Sequence, residues 1–100
     1  MESSEAVSPG GRARGTFLIK NQLGLHARAA AQLVGIANRF QSEITIRKGR
    51  EVANGKSIMG VLMLAAAFGS EIEVEARGAD GEEAVRQLGA LIDNRFGEGR

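Results

Sequence analysis

A chain of 100 residues, 43% of them hydrophobic, makes one domain with a single two-layer core and leaves no room for a separate ligand domain. A net charge of +1 with both signs interspersed argues against nucleic acid or membrane insertion, and four Phe without Trp or Tyr imply an aliphatic core. The absence of cysteine and a single histidine exclude disulfides and thiol chemistry and argue against a metal site, so neither metal nor cofactor is expected.

Residues 1–14, rich in Ser, Gly and charge and holding the only Pro, read as a mobile tail that precedes a domain at 15–97. The tail lacks the apolar core of a secretion signal, and no later segment has the length to span a bilayer, so a soluble, cytoplasmic protein is expected. Thr16-Phe-Leu-Ile-Lys20 predicts a first strand with Phe17 and Ile19 on one face. The alanine-rich run that follows His26 predicts a helix from Ala27 to Arg39 or Phe40, with Ala30, Leu33, Val34 and Ala37 as its apolar stripe. Ser42-Glu-Ile-Thr-Ile-Arg47 and Glu51-Val-Ala53 flank a Lys48-Gly49-Arg50 turn and form a hairpin with Ile44 and Ile46 inward.

Ser57 is placed as N-cap of a short helix from Ile58 to about Leu64, with Ala65 to Phe68 continuing or trailing from it and Gly69 as its stop. Ser70-Glu-Ile-Glu-Val-Glu-Ala76 alternates again, with Ile72 and Val74 inward. Asp80-Gly-Glu-Glu83 has a capping-box arrangement ahead of Ala84, Val85, Leu88, Leu91, Ile92 and Phe96 at helical spacing, and the chain from Gly97 is expected to fray. The order βαββαβα predicts an α+β open-faced two-layer sandwich: a four-stranded antiparallel sheet covered on one face by three helices. Thr45, Arg47, Glu71, Glu73 and Glu75 fall on the alternate positions and are expected to meet water.

The chemistry concentrates in Asn21-Gln-Leu-Gly-Leu-His-Ala-Arg-Ala-Ala30, where Gly24 supplies a flexible joint ahead of the only histidine. A side chain at a helix start sits among unpaired N–H groups, which together with the helix dipole favour an anion. Arg28 is close enough to fold its guanidinium toward a phosphate held on His26. An imidazole in water titrates near ~6.5, so at neutral pH such a ring is largely neutral and nucleophilic without a separate base. A lone histidine in a small protein is more often a packing or surface residue; the grouping of Gly, His, Arg and a helix start is what favours a nucleophile.

Three blocks, Leu23-Gly-Leu-His-Ala-Arg-Ala-Ala30, Lys56-Ser-Ile-Met-Gly-Val61, and Gly69 through Gly78-Ala-Asp80, span nearly everything from 16 to 96. In these the chain resembles the histidine-containing phosphocarrier family of the bacterial sugar phosphotransferase system, usually called HPr, and its nitrogen-related paralogues. The resemblance implies sheet order 1-4-2-3 and a cytoplasmic phosphocarrier. It also implies that His26 accepts a phosphoryl group on Nδ1 from enzyme I, with Arg28 assisting, and passes it to an A-type enzyme II component or a regulatory protein. Ser57 resembles the family's regulatory serine, the target of an HPr kinase/phosphorylase. Leu25, Ala27, Ala31, Ile58, Met59 and Leu62 correspond to an apolar docking face, and a monomer is expected. The chain departs from many relatives in having Ala29 where they have Pro, which adds an N–H donor to the first helical turn. The rival function is a regulatory binding module controlled through Ser57, with little transfer at His26.

Overall fold

The computed structural model describes residues 11–100, so the predicted tail lies outside the described residues as far as residue 10. Seven elements follow in order: β1 (Arg12–Leu18), α1 (Ala27–Ala37), β2 (Glu43–Lys48), β3 (Glu51–Asn54), α2 (Ile58–Met63), β4 (Glu71–Arg77) and α3 (Gly81–Asp93), with a single turn at Arg95–Gly97. The sheet is antiparallel in the order β1-β4-β2-β3, and the three helices lie on one face, as the sequence predicts. Residues 12–14 belong to the domain and not to a tail, because Arg12, Ala13 and Arg14 pair with Arg77, Ala76 and Glu75.

Alternation places Ile44 and Ile46 of β2 and Ile72, Val74 and Ala76 of β4 under the helices. They meet Ala30, Leu33 and Val34 of α1, Val61 of α2, and Leu88 and Ile92 of α3 in one core. Small residues set the spacing. A Cβ on Gly89 would fall 2.3 Å from the Phe17 ring, and one on Gly15 would meet the same ring at 2.7 Å. The two glycines therefore let α3 lie directly on β1 with Phe17 between them.

Several boundaries differ from the periodicity. α1 stops at Ala37 because the chain tightens there: Arg39 N–H bonds the Ile36 carbonyl and Phe40 N–H that of Ala37, three-residue turns that end the regular ladder. α2 is ended by Ala65, which holds a left-handed φ of 50°, and not by Gly69. Asp80 precedes α3 but makes no side-chain cap. Its carboxylate accepts instead from Gln41 N at 2.9 Å, Ser42 N at 3.0 Å and Ser42 Oγ at 2.5 Å, stitching the α1–β2 loop to the start of α3. Those hydrogen bonds, that from Ser42 Oγ foremost, hold the Asp80 carboxyl below its ordinary value. The capping box is absent as well, since Glu83 bonds Arg86 and Gln87 one turn on. Nor does the chain fray after Gly97: Arg95, Phe96 and Gly97 have φ of 58°, 55° and 77°, and this left-handed turn sends the last residues back over the domain, with Phe96 buried.

The uncovered sheet face is not simply wetted. Glu75 is only 4% exposed, because β4 is central and its carboxylate is ringed by cations from three strands. Arg47 Nη1 donates to Glu75 Oε1 at 2.9 Å, while Arg12 Nε and Arg77 Nε lie 3.3 and 3.5 Å from Oε2. Glu73 extends the network to Arg47 at 3.4 Å and Arg14 at 3.7 Å. Burial pushes the Glu75 carboxyl up, but the charges of Arg47, Arg12, Arg77 and Arg14 together outweigh it and leave it below its ordinary 4.5.

A depressed folded-state value means that Glu75 contributes stability fully above about pH 4.5 and loses it as the pH falls through the folded value. Glu75→Gln is therefore expected to cost roughly 1–3 kcal/mol at pH 7, by leaving clustered guanidinium groups without their anion. It is also expected to flatten the acid side of the stability profile. Urea melts of both chains between pH 3 and 7 check this.

Candidate functional site

The loop between β1 and α1 is built to fix one side chain. Gly24 has φ of +71°, and a Cβ there would fall 2.7 Å from the Ala66 carbonyl oxygen and 3.0 Å from Ala67 Cα. Gly24 is thus a rigid left-handed corner pressed against the segment after α2, not a flexible joint. Leu25 N–H then bonds the Ala66 carbonyl at 2.8 Å, and His26 N–H bonds that of Gly24 at 2.9 Å. Asn21, fully buried, braces the turn by donating from Nδ2 to the Gly24 carbonyl at 2.7 Å.

His26 is the N-cap of α1, with extended backbone angles of φ −77° and ψ 179°. Its Nδ1 accepts from Arg28 N–H at 3.3 Å, in the geometry by which Ser or Asp usually caps a helix. Its Nε2 donates to Glu98 Oε2 at 2.5 Å, and Glu98 Oε1 accepts from Asn21 Nδ2 at 3.0 Å. The bond from Asn21 first, then that from His26, hold the Glu98 carboxyl below its ordinary value, with the Arg28 charge adding to the effect. The His26 side chain is 28% exposed, so the ring is held on its Nε2 edge without being enclosed. Nδ1 lies at the positive end of the helix, where an anion gains both N–H donors and dipole, and the exposed Arg28 adds a full charge.

The remaining predicted residues divide. Ala27 and Ala31 are exposed one turn apart on α1. Ser57 caps α2, its Oγ accepting from Gly60 N–H at 3.0 Å, and Ile58 and Met59 are exposed directly after it. Leu62 is half-buried against the core. Leu25 does not belong to a docking face at all: it is 4% exposed, because its amide is tied to Ala66 and its side chain turns inward with Ala29 and Ala30. Sequence reasoning missed exposed Met63, one turn beyond Met59, and exposed Leu23 and Phe68 on the two segments that Gly24 brings together. Helical spacing from Met59 was signal enough for Met63. Asn21 and Glu98 were also missed, and nothing local marks either. Among the described residues, no three His, Asp or Glu side chains gather as a metal site, and no helix is long and apolar enough to cross a membrane.

Comparison with known proteins finds relatives over most of the chain. The family described as "PTS HPr component phosphorylation site" matches residues 13–94. Phosphocarrier protein HPr of Cupriavidus necator is 54% identical over 87 residues, covering 86% of this chain and 96% of the relative. That of Neisseria meningitidis serogroup A is 53% identical over 81 residues, covering 81% and 91%. Among solved structures, HPr-C-His from Thermoanaerobacter tengcongensis superposes with a TM-score of 0.85 at 42% identity, covering 88% of this chain and 99% of that one.

Gly24→Ala is expected to lower stability by about 1–3 kcal/mol, since it meets both a positive φ and a backbone carbonyl. It should also shift the His26 amide and ring resonances. Gly35→Ala, on α1 with open space around its Cβ, is the control: it is expected to leave stability unchanged or raise it by up to about 1 kcal/mol. Thermal melts and amide spectra of the two variants check both.

Proposed function

The chain belongs to the HPr family of the phosphotransferase system, and from that premise we propose that it is a stoichiometric phosphoryl carrier working through His26. On this reading His26 Nδ1 receives the group from the phosphohistidine of enzyme I and yields it to an A-type enzyme II component or a regulatory protein in the cytoplasm. The protein is turned over by its partners and is not itself an enzyme.

The observation that carries the proposal is the placement of Nδ1 at the first turn of α1, on a ring that is still open to solvent. Phosphoryl transfer through a loose transition state needs in-line positioning and neutralisation of the equatorial oxygens more than covalent help. The N–H groups of the first turn and the Arg28 guanidinium are the donors in reach. The group must also leave again. Donors placed on an open surface hold it without enclosing it, which suits a carrier better than a deep pocket does.

Docking is assigned to the face where α2 lies beside α1, with Ala27 and Ala31 from α1 and Ile58 and Met59 from α2. Exposed Met63 joins them, and Met side chains repack readily against different partners. Ser57 gives the second reading its footing: its hydroxyl caps α2 immediately before Ile58 and Met59. Phosphorylation there by an HPr kinase/phosphorylase would set about two negative charges beside the docking residues and weaken enzyme I recognition.

Incubation with enzyme I and phosphoenolpyruvate is expected to add one phosphate, read by intact mass, that mild acid removes and that His26→Ala never acquires. An unlabelled wild type with a cognate enzyme I would overturn the carrier reading in favour of the regulatory one. Met59→Glu is expected to slow labelling about tenfold or more, as loss of a docking anchor worth over 1 kcal/mol does, while leaving the melting temperature unchanged. A variant that instead melts early would place Met59 in the core.

A further inference from the structure

We propose that Glu98 is a positioning residue for phosphoryl transfer, its carboxylate clamping the His26 ring so that the Nδ1 lone pair stays aimed at the first turn of α1. The proposal rests on the carrier reading and adds a residue outside the sequence blocks that support it.

A histidine fixed only through Nδ1 is poorly held. The Nδ1 contact to Arg28 N–H spans 3.3 Å, beyond the usual N–H hydrogen-bond range, so rotation of the ring about its Cβ–Cγ bond would cost little and would turn Nδ1 away. The opposite edge carries the firmer bond, Nε2 to Glu98 Oε2 at 2.5 Å. Glu98 is itself held: its side chain is 13% exposed, and Oε1 accepts from the buried Asn21 amide. The same Asn21 nitrogen donates to the Gly24 carbonyl, so one side chain ties the corner that aims His26 to the carboxylate that clamps it.

The clamp also decides which nitrogen can react. Glu98 is an ionised acceptor, so the hydrogen in the short bond belongs to Nε2. In the neutral ring Nδ1 then keeps its in-plane lone pair, and no general base is required. During transfer that pair forms the new N–P bond, while the N–P bond of the donor phosphohistidine breaks and its electrons return to the donor ring. Nε2 retains its hydrogen throughout. The phosphorylated ring therefore carries a positive charge that faces the Glu98 carboxylate, and the same steps in reverse return the lone pair to Nδ1 when the group departs. A buried carboxylate that orients a histidine and stabilises its charged form plays the corresponding part in hydrolase triads.

The backbone delivers Glu98 at some strain. Arg95 and Phe96 are both left-handed without being glycine, a conformation that persists only where surrounding packing enforces it. Phe96, 1% exposed, anchors the turn, and a second tie runs from Gln22 N–H to the Arg100 carbonyl at 3.0 Å. The first seats the segment in the core and the second docks it on the loop that carries His26.

The test uses the full chain as substrate for enzyme I, comparing wild type, Glu98→Gln and Glu98→Ala by steady-state kinetics and by the His26 Nε2–H proton resonance in water. Glu98→Ala is expected to lower kcat about tenfold to hundredfold with KM within about twofold, and to lose the downfield, exchange-protected ring signal. Glu98→Gln keeps an acceptor oxygen, and is expected to retain the signal and recover part of the rate. Should Glu98→Ala fail to fold, Glu98→Gln decides: a full wild-type rate together with a ring signal at the Nε2–H shift of an unbonded histidine overturns the proposal. A labelled wild type with Glu98→Ala equally fast and its ring signal unchanged overturns it alone. An unlabelled wild type overturns the carrier reading and this proposal with it.

Discussion

α1 begins on a weak cap, and the proposed carrier chemistry depends on that weakness. An N-cap serves its helix by taking one of the first-turn N–H groups, and the other helices show how that is done well or done elsewhere. α2 uses Ser57, whose hydroxyl accepts from Gly60 at 3.0 Å. α3 leaves its cap unmade, because Asp80 is committed to Gln41 and Ser42. α1 has an imidazole nitrogen at 3.3 Å. On the carrier reading, a shorter bond would occupy the lone pair that attacks phosphorus, and no bond would leave the ring unaimed. The N–H groups that His26 satisfies poorly are those that a phosphoryl oxygen would satisfy well.

A weak cap has to be supported from outside the helix, and the support is spread along the chain. Gly24 allows a left-handed corner against the Ala66 carbonyl, Leu25 sinks into the core behind it, and Asn21 closes the turn. On the far side of the molecule, the Glu75 cluster ties β1, β4 and β2 together across the uncovered face. The two faces thus differ in kind. One is a lattice of opposite charges, in which Leu18 and Val52 are the exposed apolar exceptions, and the other exposes Ile58, Met59 and Met63 on α2, which packs beside α1. On the docking reading, an apolar partner surface would find little to bind on the first and an incomplete hydrophobic patch on the second.

Much of this was legible in the sequence, for identifiable reasons. Period-two alternation in Ser42–Arg47 and Ser70–Ala76, and the alanine stripe after His26, depend only on neighbours along the chain, so the strands and α1 could be read directly. His26, Arg28, Ser57, Ile58 and Met59 were readable on the same basis, since each takes its place from the start of a helix. What failed depended on partners far away in sequence. Glu75 reads as a solvent-facing residue until β4 is known to lie between β1 and β2, when three arginines close on it. Asp80 has the spacing of a cap but is taken by residues about forty positions earlier. Leu25 looks as exposed as Leu23 until its amide meets Ala66. Glu98 was the least visible, because three successive left-handed residues bring it back and two of them are Arg95 and Phe96, which carry no turn signature.

A carrier faces a constraint that an enzyme active site does not: it has to hold the same group well enough to keep it and loosely enough to give it up. On the carrier reading, each contact around His26 is graded accordingly. Arg28 is exposed, so its charge is screened by water and its attraction for a phosphoryl group stays modest. Ala29 keeps an N–H in the first turn, while its methyl is fully buried and leaves the helix seated on the core. Glu98 would act on the opposite edge of the ring, its carboxylate facing Nε2 and the positive charge that a phosphorylated imidazole gains.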